Sequence, residues 1–118
     1  MDSDRARGVL LGLACGDALG RPVEFASASE ISARHGRLYD MVGDGTWNQP
    51  AGTITDDTDQ ALCIARSLVE LQTFDPADVA ERFVAWYDSG PFDIGRMTRR
   101  VSTCGRTVRK GRTRGTGV

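Results

Sequence analysis

Apolar residues crowd the first twenty positions without leaving a polar face. Val9, Leu10, Leu11, Leu13 and Ala14 point to every side of a helical wheel, which predicts a helix over about residues 4–19 with Asp2 or Ser3 as its cap. Glycine recurs at 8, 12, 16 and 20 on one stripe. An interior glycine costs about 0.5–1 kcal/mol relative to alanine. The stripe therefore predicts a second backbone packed close against it. A helix that is apolar all round is expected in the middle of a bundle. Pro22 ends the pattern.

A short helix is predicted in "ASASEISARHG", with Ser27 or Ser29 as cap and Gly36 as stop. The next stretch, "RLYDMVGDGTWNQPAGTIT", is rich in Gly, Asp, Asn and Pro and predicts a long loop. Loops this long within a compact domain tend to carry function. Helical spacing returns with Ala61, Ile64, Ala65, Leu68 and Leu71, predicting a helix to about Gln72. The clearest helix follows: Asp75 caps, Pro76 fits the first helical position, Asp78 lies in the first turn and Gly90 stops it. Val79, Phe83 and Trp86 form its apolar stripe. A fourth pattern begins near Asp93. No alternating strand pattern occurs, so the expected class is all-α, with the polar chemistry on loops.

Length and composition narrow the class. A chain of 118 residues with 40% hydrophobic residues suits one small globular domain. Cys15, Cys63 and Cys104 are widely spaced, with no CxxC, which favours a reducing cytoplasmic setting. Cys15 and Cys63 stand in apolar helical contexts and are expected to be buried. His35 is the sole histidine and reads as a helix end rather than a ligand. The run from Val9 to Cys15 is far shorter than the roughly 20 residues of a membrane span. The near-zero net charge hides an asymmetry. All sixteen acidic residues precede Arg99, whereas seven of the fifteen basic residues lie from Arg99 onward. The segment 102–118 is therefore expected to be a disordered basic tail. Clustered cations could serve a nucleic-acid arm, but no aromatic residue is there to stack on bases, and a nucleic-acid partner is not expected.

The candidate chemistry centres on "TITDDTDQAL". Asp56, Asp57 and Asp59 place three carboxylates in four residues, framed by Thr55 and Thr58. Two things can offset their repulsion. Acids in a first helical turn meet free N–H groups and the positive end of the helix dipole, worth about 0.3–1 kcal/mol each. Alternatively, hard oxygens suit Mg²⁺ or Mn²⁺, and Mg²⁺ often takes only one or two protein carboxylates. Spacing alone favours the cap. Asp17 on the first helix requires hydrogen bonds, a charge partner or a metal, with a structural role and a site role equally open. Glu24 stands between Val23 and Phe25, an unusual setting for a solvated acid. An EF-hand reading fails because Leu62 and Leu68 occupy the positions that need Gly and Glu. A sugar-nucleotide transferase would need strands.

Taken together, "RARGVLLGLACGDALGRPVEF", "TITDDTDQAL" and "SGPFDIGRMTRR" resemble the N-terminal part of the ADP-ribosylglycohydrolase family, over roughly residues 5–101. That family includes the enzyme that removes ADP-ribose from dinitrogenase reductase. The resemblance implies an orthogonal helical bundle with two Mg²⁺ (or Mn²⁺) ions in a cleft. It places metal ligands on Thr55, Asp56 and Asp57, and catalytic carboxylates on Glu24 and Asp57. The substrate it implies is an ADP-ribosylated protein or a related conjugate. The family's later Asp-x-Asp-Thr and Gly-Asn-Gly segments have no counterpart in these residues. The chain is thus expected to be truncated at about residue 101, to leave its glycine-striped helix uncovered, and to be weakly active or inactive alone, with a separate C-terminal half as a candidate partner. The alternative is a non-catalytic ADP-ribose-binding or structural fragment.

Overall fold

A computed structural model describes residues 2–104. Among these the secondary structure is helical, with one isolated antiparallel bridge between Asp44 and Gln49. The all-α class is as expected. No helix of the described residues is long and apolar enough to cross a membrane. The chain divides between Thr58 and Asp59 into two compact units.

The first unit opens with α1 (Ser3–Gly20). Asp2 caps it, its carboxylate accepting from the Asp4 N–H at 3.1 Å. A 3₁₀ turn, Arg21–Val23, follows directly. Helix α2 (Ala28–His35) starts in a capping box: the Ser27 hydroxyl accepts from the Glu30 N–H while the Glu30 carboxylate accepts from the Ser27 N–H. Gly36 ends it at φ 64°, and His35 is its last residue. The long loop is confirmed, though it contains a second 3₁₀ turn, Gly45–Trp47, that packs on the first. Then α3 (Asp56–Leu71) begins.

Among the described residues α1 stands largely uncovered, the outcome expected for the chain alone. Nothing lies within 4 Å of where a Cβ would stand on Gly8, Gly12, Gly16 or Gly20, so no second backbone packs on the stripe. Val9 is 69% and Leu11 64% exposed, and Ala18 is the buried residue of the helix. Cys15, expected to be buried, is exposed for the same reason. An apolar pattern specifies that a face can be covered; it does not say which residues do so.

The second unit holds the rest of α3, then α4 (Pro76–Asp88) and α5 over residues 96–104. Asp75 caps α4 by accepting from the Ala77 and Asp78 N–H groups, with Pro76 at the first position as predicted. Its buried residues are Val79 and Val84, with Phe83 and Trp86 half-buried. On the second unit's part of α3 the buried positions are Cys63 and Ser67, whereas Ile64, Leu68 and Leu71 of the expected stripe stay exposed. Small side chains four residues apart allow close approach, and the Cys63 thiol reaches the Arg82 carbonyl at 3.9 Å. Burial pushes that thiol's pKa up. Arg82 also joins Glu70 on α3 to Asp78 on α4, at 2.6 Å each. Helix α5 runs past residue 101, the expected end of the domain. The remainder of the expected basic tail lies outside the described residues.

Candidate functional site

The first turn of α3 is built around Asp17, which sits one turn from the end of α1. Its carboxylate accepts four hydrogen bonds. The Thr55 N–H and hydroxyl donate at 2.8 and 2.7 Å, and the Thr58 N–H and hydroxyl at 3.3 and 2.5 Å. Burial alone would raise the Asp17 carboxyl. The bonds from the Thr58 hydroxyl and the Thr55 N–H, then the remaining two, outweigh it and hold the carboxyl below the usual aspartate range. Asp17 therefore takes the structural role, capping a helix 38 residues away in the chain.

Thr55 is the local cap. Its buried hydroxyl donates to Asp17 and accepts from the Asp57 N–H at 3.4 Å. Thr55 and Asp17 thus satisfy first-turn donors that Asp56 and Asp57 would otherwise serve. Asp56 is half-buried and Asp57 exposed. Desolvation, and then the negative charges of Asp56, Asp17 and Glu24, push the Asp57 carboxyl above its ordinary range. Asp57 is close enough to feel the other three acids. Asp59, the third acid of the motif, turns elsewhere and accepts from the Trp86 indole N–H at 2.9 Å.

Glu24 follows the first 3₁₀ turn and is half-buried. Its carboxylate accepts from the Trp47 indole N–H at 2.6 Å. The loop carrying Trp47 hangs on Arg21, which is only 2% exposed and has no carboxylate partner within salt-bridge reach among the described residues. Its guanidinium instead donates to five backbone carbonyls: Thr53 at 3.1 Å, Asp44 at 3.0 Å, Val42 at 3.4 Å, Gln49 at 3.2 Å and Pro50 at 3.1 Å. Gly45 closes the same corner. A Cβ there would stand 2.2 Å from the Pro22 carbonyl oxygen, and the residue takes φ 71°. Arg21 and Trp47 were absent from the residues that the sequence singled out. The only hint was a lone indole in a loop of small polar residues.

The donor set suits a hard divalent cation. Two adjacent carboxylates and a threonine hydroxyl match the number and kind of protein oxygens that Mg²⁺ takes. Thr55 keeps a lone pair after committing its proton to Asp17, and Asp57 stands among the negative charges of Asp56, Asp17 and Glu24. No group of three or more His, Cys, Asp or Glu side chains among the described residues closes around a metal position.

Comparison with known proteins decides the relationship. The ADP-ribosylglycohydrolase family model matches residues 2–117. The chain belongs to the ADP-ribosylglycohydrolase family. The match extends beyond the 5–101 over which the motifs carry the resemblance. Among relatives of this family member, the ADP-ribosyl-dinitrogen reductase glycohydrolase of Rhodospirillum rubrum is 46% identical over 97 residues, covering 82% of this chain and 33% of the relative. The ADP-ribosylarginine hydrolase Tri1 of Pseudomonas putida (strain GB-1) is 44% identical over 103 residues, covering 81% and 26%. A solved ADP-ribosylglycohydrolase-related protein complex aligns with a TM-score of 0.64 at 44% identity, covering 74% of this chain and 29% of that one. The chain thus spans about a quarter to a third of the length of these relatives.

Proposed function

We propose that Glu24 and the first turn of α3 form one side of a metal-dependent centre for cleaving the glycosidic bond between ADP-ribose and a modified protein side chain. The observation that carries the reading is the division of labour at α3. Asp17 and Thr55 serve the helix start, which leaves Asp57 without a hydrogen bond to its carboxylate among the described residues. An acid spared from capping and set among other acids favours a cation.

Thr55, Asp56 and Asp57 would hold Mg²⁺ or Mn²⁺. Bound there, the cation would orient ribose hydroxyls and a water and make that water more acidic. Asp17 keeps the Thr55 oxygen aimed by holding both its N–H and its O–H. Glu24 and Asp57 are the carboxylates that would take a proton from the attacking water or return one to the leaving group. The names of the relatives support ADP-ribosylarginine or an ADP-ribosylated reductase as the kind of substrate.

The test joins this chain to the remaining part of the R. rubrum relative and measures ADP-ribose released from an ADP-ribosylated arginine protein with Mn²⁺. Release that is lost in Asp57→Asn and Glu24→Gln supports the reading. A folded chimera that binds ADP-ribose without releasing it from protein would favour the non-catalytic alternative.

A further inference from the structure

Glu24 is held from two directions. Along its own chain, its N–H donates to the Arg21 carbonyl at 3.3 Å, and the next residue, Phe25, takes the left-handed φ of 64°. From the loop beyond α2, two consecutive residues reach it. The Thr46 hydroxyl donates to the Glu24 carbonyl at 2.5 Å, and the Trp47 indole N–H donates to Glu24 Oε2 at 2.6 Å. The Trp47 ring also meets the Phe25 ring edge-on, with centroids 6.4 Å apart and planes at 61°. One loop therefore grips the main chain and the carboxylate of the same residue. That loop is fixed in turn by the five carbonyl contacts of Arg21 and by Gly45 against Pro22.

The chemistry of the indole makes this grip selective. Its N–H donates and never accepts. It therefore engages an oxygen that carries no proton. A charge-assisted bond of this length belongs to the strong class. With Oε2 engaged, Oε1 has no hydrogen-bond partner among the described residues.

We propose that Trp47 is a positioning residue for Glu24, fixing its carboxylate in one rotamer so that Oε1 is the oxygen offered to the reaction. The inference rests on Glu24 acting as the proton-transfer group of the proposed centre, and adds which of its oxygens does so and what aims it. Trp47 acts on the reaction through Glu24. Removing it scatters the carboxylate without removing it, and misplacement on this scale lowers a reaction rate by about 10–100-fold.

The test uses ¹³C,¹⁵N-labelled 118-residue protein and NMR. Trp47→Phe keeps a ring beside Phe25 and removes only the donor, so its missing indole peak also assigns the Trp47 resonance. Expected are three-bond couplings at the Glu24 β-protons that report a single rotamer in the wild type and averaged rotamers in Trp47→Phe. The Trp47 indole proton should move upfield in Glu24→Gln and further in Glu24→Ala. Unchanged Glu24 couplings in Trp47→Phe, or an indole signal unmoved in Glu24→Ala, would overturn the proposal. If Trp47→Phe fails to fold, the Glu24→Ala spectrum decides alone. The catalytic reading fails separately: a Glu24→Gln chimera that still releases ADP-ribose would remove it while leaving the coupling result intact.

Discussion

Replacing Arg21 with alanine tests whether the site loop depends on a single buried cation. The guanidinium makes five contacts of 3.0–3.4 Å to backbone carbonyls at Val42, Asp44, Gln49, Pro50 and Thr53. Hydrogen bonds involving a charged group contribute about 1.5–3 kcal/mol each when measured singly. A simple sum overshoots, because one group makes all five and the longer contacts are weak. Removing one member of a buried charged network typically costs about 3–5 kcal/mol. That approaches the whole stability of a small domain, about 5–15 kcal/mol. Lysine offers a point charge with three donors and no planar fork, so Arg21→Lys should recover only part of the loss. The assay is urea unfolding followed by circular dichroism. A fall in midpoint of more than about 1 M is expected for Arg21→Ala. Arg7→Ala is the control, since Arg7 makes only a 3.7 Å exposed pair with Asp4 and should change stability by less than about 0.5 kcal/mol. If Arg21→Ala shifts the midpoint no more than Arg7→Ala, the loop is not anchored as described.

Two further outcomes follow from the same geometry. Gly45→Ala would drive a methyl to 2.2 Å from the Pro22 carbonyl oxygen at φ 71°, and should cost at least about 2 kcal/mol. Gly36→Ala, at φ 64° but with nothing within 4 Å, should cost about 1 kcal/mol in the same unfolding assay. Hydrogen bonds from Arg82 hold the Glu70 and Asp78 carboxyls below their ordinary values of 4.5 and 3.8. Lowered carboxyls contribute stability that is fully present above those values and lost as pH falls through the folded-state values. Thermal stability of the wild type should therefore decline more steeply than that of Arg82→Gln between about pH 5 and pH 2; parallel curves would contradict the bridge.

What was legible in the sequence was local. Ser27 (named with Ser29 as the alternative), Asp75 with Pro76, and Gly36 after His35 mark helix ends through contacts within three or four residues, and the structure follows them. The cluster at 55–57 was legible as a candidate, but the cap that Asp17 gives the helix was not, because its partners lie 38 and 41 residues away. Arg21 and Trp47 were not legible, because their partners lie 21–32 residues off in a loop without periodicity. The glycine stripe of α1 stays uncovered in this chain, as expected of it alone. It records permission for close packing, while its neighbour must be supplied by other residues. Asp59 looked like a third member of the acid cluster until Trp86 claimed it.

The most direct measurement is isothermal titration of MgCl₂ and MnCl₂ into the 118-residue protein and three variants. The account predicts saturable binding that disappears in Asp56→Asn and in Asp57→Asn yet survives in Asp59→Asn, whose carboxylate is turned to Trp86. Binding that is absent from the wild type, or equal in all four proteins, would contradict a cation centre at the start of α3.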